Sequence, residues 1–330
     1  MSLPLYIPPS QRDPMSYSAQ LRSFNKRLQE EFSRHLEAID LEYEDSALYT
    51  TGSDGRLEKG PVSNLEFVLL IEGRTGKRKA APLIEQLRTF KPKLTEGSVE
   101  VKVIGRDNMN RFNNQYDRTY PQRILDLAYL AGKKGIEETA KLKLTREWIG
   151  KRGININGSI KRKFRDFQNI SNTGKDTITF GYELVQYDLE QGFAFYDPQL
   201  KKSSFKFGPL RYVQFAIIKE LVKYYRQSVR TKEEDNLITR LPANTQDKIH
   251  YLEAEGLLKI SPDQAVELVN SYNYFLWMFH QAQEKYETNG LKEQRFDIKE
   301  VKERLKGIDS IINSGLLKTE KNSIISFNFK

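Results

Sequence analysis

Apolar residues at Tyr17, Leu21, Phe24, Leu28, Phe32, Leu36 and Ile39 recur every three or four positions, which places them on one stripe of a long amphipathic helix. The pattern stops at Glu42 to Asp45. Ala47 to Thr50 then reads as a short buried strand running into Gly52-Ser53, and Phe67 to Ile71 is a continuous apolar run of strand length, predicting a central strand. Ala81, Leu83, Ile84, Leu87 and Phe90 predict a crossover helix stopped before Pro92. Val99, Val101 and Val103 alternate with Glu100 and Lys102, the period of a strand with one apolar face, so Glu100 points away from the valines.

Further along, Pro121 starts a predicted helix that Ile124, Leu125, Ala128 and Ala131 continue and Gly132 ends; a second helix runs to Trp148-Ile149. Residues 151–207 read as a connecting segment with a possible hairpin, strand-like at Thr177 to Phe180 and Gly192 to Tyr196. From Leu210 the spacing of Val213, Ile217, Leu221 and Tyr224 is helical. Further helices are predicted over Thr245 to Glu255, Ser261 to Tyr286 and Ile298 to Ile312, with Ser261-Pro262 as a start signal. The expected organisation is therefore an arm over 1–15, a mixed α/β module over 16–150, the connecting segment over 151–207, and an all-α helical bundle over 208–330.

The 330 residues, with 38% apolar and 29% charged, describe a folded chain, and its length favours two domains. The chain has no Cys, which excludes disulfides and thiolate metal sites, and its three His are scattered. No membrane or signal segment is read, and a cytoplasmic location is expected, with export not excluded. The net charge of +9 favours anionic partners. The basic residues form short clusters, Arg74 to Lys79, Lys141 to Arg152, Lys161 to Arg165 and Lys201 to Lys206, which suit a solvated surface as well as a nucleic-acid groove.

The chemistry concentrates between Tyr49 and Ile71. A strand ending in Gly52-Ser53 and turning into a helix can offer backbone N–H groups and a hydroxyl to a phosphate, with Arg56 or Lys59 to neutralise it; a purely structural turn is the alternative. Positions 64 and 66 project to one side of their strand, the arrangement by which paired acids hold divalent ions for group transfer. Glu100, from a neighbouring strand, is the expected third member. The alternative is that Glu66 and Glu100 are rim carboxylates, and that Arg56 and Glu58 are an ion pair fixing the loop.

Gly52-Ser53, Arg56, Glu58 and Ser63-Asn64-Leu65-Glu66 resemble the Gly-Ser…Asp-x-Asp/Glu motif of the polymerase-beta-like nucleotidyltransferase superfamily. The Arg-x-Glu and the serine before the acid pair are similar to the branch of nitrogen-sensor (PII) uridylyltransferases and of nucleotidyltransferases attached to CBS or cyclic-nucleotide-binding domains. Arg123-Ile-Leu-Asp126 resembles the helix after that module. Asn244 to Leu258, with Ala265, Leu268 and Tyr272, resembles the family's helical substrate-binding region. The likeness covers roughly residues 20 to 285.

The resemblance implies an α/β nucleotidyltransferase-type sheet, Mg²⁺ or Mn²⁺ with a nucleoside triphosphate, and a protein hydroxyl, small molecule or RNA as acceptor. It implies Gly52, Ser53, Arg56 and Lys59 as phosphate-binding residues, Asn64, Glu66 and Glu100 as metal ligands, and Glu66 and Glu100 as catalytic. Lys206, Arg211, Asn244 and Lys248 would line a cleft, or serve as scaffold. Asn64 departs from the family, which has its first metal-binding Asp there; an amide offers a neutral oxygen and weakens metal binding. A slow enzyme, an enzyme that substitutes Asp54 or Glu58, and a nucleotide-binding protein without catalysis all follow from that change. A basic nucleic-acid-binding protein is a further alternative.

Overall fold

The structure, a computed structural model, describes residues 8–37, 46–60, 63–71, 81–89, 99–105, 120–142, 177–199, 202–227 and 237–316. The chain divides into two compact units. One comprises Met1–Tyr6, Ala19–Ile154 and Tyr225–Thr245, and the other Ile7–Ser18, Asn155–Tyr224 and Gln246–Lys330.

The first unit is built on a mixed four-stranded sheet. Its strands are β1 (Ser46–Thr50), β2 (Leu65–Ile71), β3 (Val99–Gly105) and β4 (Ala128–Gly132), in the order β3-β2-β1-β4. β2 and β3 run parallel, as their crossover through a helix, α3 (Ala81–Thr89), requires, while β1 pairs antiparallel with both β2 and β4. The long helix α1 (Pro14–Glu37) packs Leu28, Phe32 and Leu36 with Leu65, Phe67, Leu69 and Ile71 of β2, with Leu83 and Leu87 of α3 in the same core. The rings of Phe32 and Phe67 meet edge-on, their centroids 5.2 Å apart. Val68 and Leu70, on the opposite face of β2, are buried as well, which is why this strand reads as a continuous apolar run.

One expectation in this unit is corrected. The helix predicted to run from Pro121 to Gly132 stops early: α4 spans Tyr120–Leu125, and residues 128–132 form the edge strand β4. Alanine is the strongest helix former, but intrinsic propensity amounts to less than about 1 kcal/mol per residue, and pairing with the edge of β1 overrides it. Gly132, at φ +94°, fits against the Ser46 carbonyl, where a Cβ would come within 2.4 Å. Residues 136–142 form the following helix, α5. Its predicted continuation to Trp148-Ile149, together with Ile39 and Phe90, lies outside the described residues.

In the second unit, residues 177–180, read as strand-like, open helix α6 (Thr177–Gln191), with Val185, Asp188 and Leu189 on its buried side. Gly192 at φ +76° follows it. A hairpin does form, between β5 (Phe193–Asp197) and β6 (Lys202–Ser203), and a third strand, β7 (Glu293–Arg295), pairs with β5. The region beyond residue 208 is thus helical with one strand of a small sheet. A π-type turn over Lys206–Leu210 contains Pro209 and leads into α7 (Arg211–Gln227). The remaining helices are α8 (Thr245–Ala254), α9 (Pro262–Asn289) and α10 (Ile298–Ile311). Ser261 caps α9 as a full capping box with Gln264, and Gly290 ends it in the left-handed conformation.

Tyr272, Phe275 and Phe279 of α9 are core residues, while Trp277 is part-exposed and donates from Nε1 to the Pro9 carbonyl (2.8 Å). His280 is buried, its Nδ1 sharing a 2.7 Å hydrogen bond with the Tyr17 hydroxyl. Burial, reinforced by Lys206, pushes its pKa down to about 3, so it is a neutral core histidine. Among the described residues no helix is long and apolar enough to cross a membrane.

Candidate active site

β1 delivers the chain to Thr51, which is extended, and Gly52, at φ +61°, turns it into the one-turn helix α2 (Gly52–Gly55). Thr51 is pinned on both sides: its N–H donates to the Glu66 carbonyl (3.0 Å) and its hydroxyl to the Arg123 carbonyl (2.8 Å). Gly55 is glycine for packing reasons, since a Cβ there would come within 1.8 Å of the Asp126 carbonyl oxygen.

Odd positions of β2 face the α1 core, so Glu66 projects from the other face, level with Glu100 in the parallel register of β2 and β3. Asn64 precedes the strand on the same side, and its Nδ2 donates to Glu100 Oε1 across 3.5 Å. The Glu66 carboxylate lies directly against the turn: a Cβ on Gly52 would sit 2.2 Å from its Oε2. Gly52, Asn64, Glu66 and Glu100 therefore share one end of the sheet, beside half-buried Ser53 of α2. Glu66 and Asn64 are half-buried and Glu100 is exposed.

Arg56 and Lys59 are turned into the protein. Arg56 Nε donates to Glu58 Oε2 (2.7 Å) and its Nη1 to Asp126 Oδ2 (2.5 Å), so Asp126 completes an ion-pair triad inside the first unit. Lys59 is fully buried, its Nζ 3.8 Å from Asp54 Oδ1. The phosphate-neutralising role expected of these two cations gives way to an internal one: their charges hold the loop. Asp54 is the hinge of this arrangement, because its Oδ2 accepts the Glu66 N–H (2.9 Å). Burial pushes the Asp54 carboxyl above the usual carboxylate range, against the pull of Lys59.

The loop's carbonyls are gripped by three side-chain amides, of which the sequence reading singled out only Asn244. Gln29 Nε2 donates to the Asp54 carbonyl (2.7 Å) and Asn25 Nδ2 to that of Lys59 (3.1 Å), both from α1. Asn244 Nδ2 donates to the Arg56 carbonyl. A signal for the first two was present: Asn25 and Gln29 are polar residues one helical turn apart, next to the apolar stripe of α1. With its amides so engaged, the loop tolerates Leu57 at φ +60°, the one non-glycine residue with positive φ among those described.

Asn244 thus belongs to the loop of the first unit. In the second unit, Lys206 Nζ lies 4.7 Å from the centre of the Phe279 ring, the Arg211 guanidinium is 5.0 Å from the centre of the Phe207 ring, and Lys248 is buried. Among the described residues no three His, Asp or Glu side chains form a metal-binding group. The oxygen donors at this end of the sheet are the Glu66 and Glu100 carboxylates and the Asn64 amide, a set that could offer a hard divalent cation less charge than three acids provide. Neither a model of a known protein family nor a characterised protein matches this chain.

Proposed function

We propose that the protein is a nucleotidyltransferase that moves a nucleoside monophosphate from a Mg²⁺- or Mn²⁺-bound triphosphate to a protein or small-molecule acceptor. The observation supporting it is the Glu66 carboxylate lying against the Gly52 turn, beside Glu100. In this reading Ser53 and the N–H groups of the α2 turn hold phosphate oxygens, which the glycine lets approach the backbone. The acceptor oxygen bonds to the α-phosphorus, the bond from that phosphorus to the bridging oxygen breaks, and pyrophosphate departs. Glu100, the exposed carboxylate, takes the acceptor's proton. A divalent cation held by Glu66, Glu100 and the Asn64 oxygen would offset the charge that builds on the phosphates.

One contact favours a second reading. Asn64 donates its amide to Glu100 where the resemblance expects an acid, which suits a nucleotide- or protein-binding regulatory protein that has lost transfer. Incubation with labelled triphosphates, Mg²⁺ or Mn²⁺ and a cell lysate separates the two. Transfer predicts a labelled acceptor with the native chain and none with Glu66→Gln. Label that persists in Glu66→Gln removes the proposed site, and binding without label selects the regulatory reading.

A further inference from the structure

β7 lies at one edge of the small sheet of the second unit, and among the described residues β5 is the only strand paired with it. The register fixes which of its backbone groups face outward. The Tyr196 N–H donates to the Lys292 carbonyl (2.8 Å), one step along the ladder from the Phe195–Glu293 pair. Hydrogen-bonded and non-hydrogen-bonded pairs alternate in an antiparallel ladder, so Ala194 and Gln294 bond each other, and the N–H and C=O groups of Glu293 and Arg295 point away from β5. They form an open edge.

The side chains divide in the same way. Gln294 is buried and donates from Nε2 to Gln281 Oε1 (2.7 Å), whereas Glu293 and Arg295 are exposed, and neither has an ion-pair partner among the described residues. Charge on an edge strand ordinarily discourages strand addition. Here the two charges are opposite in sign and symmetric about Gln294. A second β7 running antiparallel, with Gln294 facing Gln294, therefore meets each Glu293 with an Arg295. That register also makes Glu293 and the partner's Arg295 the hydrogen-bonded pair, as their outward N–H and C=O groups require. Sliding it by two residues in either direction sets Glu293 against Glu293 or Arg295 against Arg295, so the charges select one alignment.

Apolar surface gathers at the same place. Phe195 stands beside Glu293 on β5, Leu291 precedes β7 and Ile298 follows it, and all three are exposed. In the paired arrangement Leu291 of each copy comes alongside the start of α10 in the other, near Ile298, and Phe195 flanks the ion pair. We infer that β7 is a self-association edge, through which two copies of the chain join their small sheets about a twofold axis at Gln294. The three-residue length of the strand and the net charge of +9 keep this dimer weak and concentration-dependent.

Sedimentation equilibrium of the full chain tests this by charge reversal, with circular dichroism to show that each variant is folded. Expected are a reversible monomer–dimer equilibrium for the native chain and at least tenfold weaker dimerisation for Glu293→Arg and for Arg295→Glu, each of which sets like charges across the axis. An equimolar mixture of these two variants, and the exchanged Glu293→Arg/Arg295→Glu chain, should both dimerise as the native chain does, because opposite charges face each other again. Hydrogen exchange of the outward Glu293 and Arg295 amides should slow as the native chain is concentrated. A native chain that stays monomeric, a dimer that Glu293→Arg leaves intact, or a mixture that does not reassociate would overturn the inference. Slowed exchange of those amides on adding a synthetic Thr- and Val-rich peptide to a native chain that remains monomeric would overturn it too, assigning the edge to a foreign strand.

Discussion

Replacing Gly52 by alanine probes the contact on which the candidate site is built. Two separable penalties arise. Alanine at φ +61° costs roughly 1–2 kcal/mol from backbone sterics alone. The added methyl also meets Glu66 Oε2 at 2.2 Å, far inside contact distance, so the carboxylate must move, an overpacking cost of about 1–2 kcal/mol. Gly52→Ala should therefore destabilise the protein by about 2–4 kcal/mol. In a Glu66→Ala background only the backbone part remains, leaving a coupling of about 1–2 kcal/mol between the sites. Urea unfolding followed by circular dichroism gives the four free energies. Hydrogen exchange of the Thr51 amide, which donates to the Glu66 carbonyl, provides a local readout. Equal costs of Gly52→Ala in both backgrounds would refute the placement of Glu66 over the turn.

Other outcomes follow from the same geometry. Arg56→Ala removes the guanidinium that the buried Glu58 and Asp126 carboxylates share, and should cost about 3–5 kcal/mol in the same unfolding assay. Gln29→Ala strips the Asp54 carbonyl of its amide donor and should cost about 1–2 kcal/mol, read as a lowered urea midpoint. Asp188, in the second unit, is 2% exposed, and burial, opposed by the Ser204 hydroxyl and the Phe195 N–H, pushes its carboxyl up to about 6 from an ordinary 3.8. Such a group binds its proton more tightly folded than unfolded, so its contribution is full below 3.8 and lost as pH rises through 6. A rise of about two units corresponds to about 3 kcal/mol at most, and Asp188→Asn should recover about 1–2 kcal/mol at pH 7.5 and little at pH 4, measured by thermal melts. An unchanged melting temperature at pH 7.5 would contradict the buried charge.

Much of this architecture is written in periodicity. The stripe from Tyr17 to Leu36, the apolar run of β2 and the alternation of β3 each bury the residues their spacing selects, because one-sided burial is what such patterns encode. Residues 128–132 and 177–180 resist the same treatment. In the first, a sheet edge recruits alanines that local preference sends to a helix; in the second, β-branched threonines and an isoleucine, residues that favour strands, open a helix. At the site, the shared face of Asn64, Glu66 and Glu100 follows from strand alternation. The inward turn of Arg56 and Lys59 does not, since it depends on Asp126, 70 residues away, and on the burial of Asp54. The grip of Asn25, Gln29 and Asn244 on the loop is likewise a long-range property; the first two were visible beforehand only as polar residues beside an apolar stripe, and Asn244 only as a cleft or scaffold candidate.

The central claim is that Gly52, Ser53, Glu66 and Glu100 hold a cation-bound polyphosphate, with Asn64 as the weak member. Calorimetric titration of Mg²⁺ and a nonhydrolysable nucleoside triphosphate into the native chain, Asn64→Asp and Glu66→Gln tests it directly. The account predicts measurable binding to the native chain, at least tenfold tighter binding after Asn64→Asp restores a carboxylate, and none in Glu66→Gln. Affinity that ignores both substitutions, or no binding even with Asn64→Asp, would contradict it.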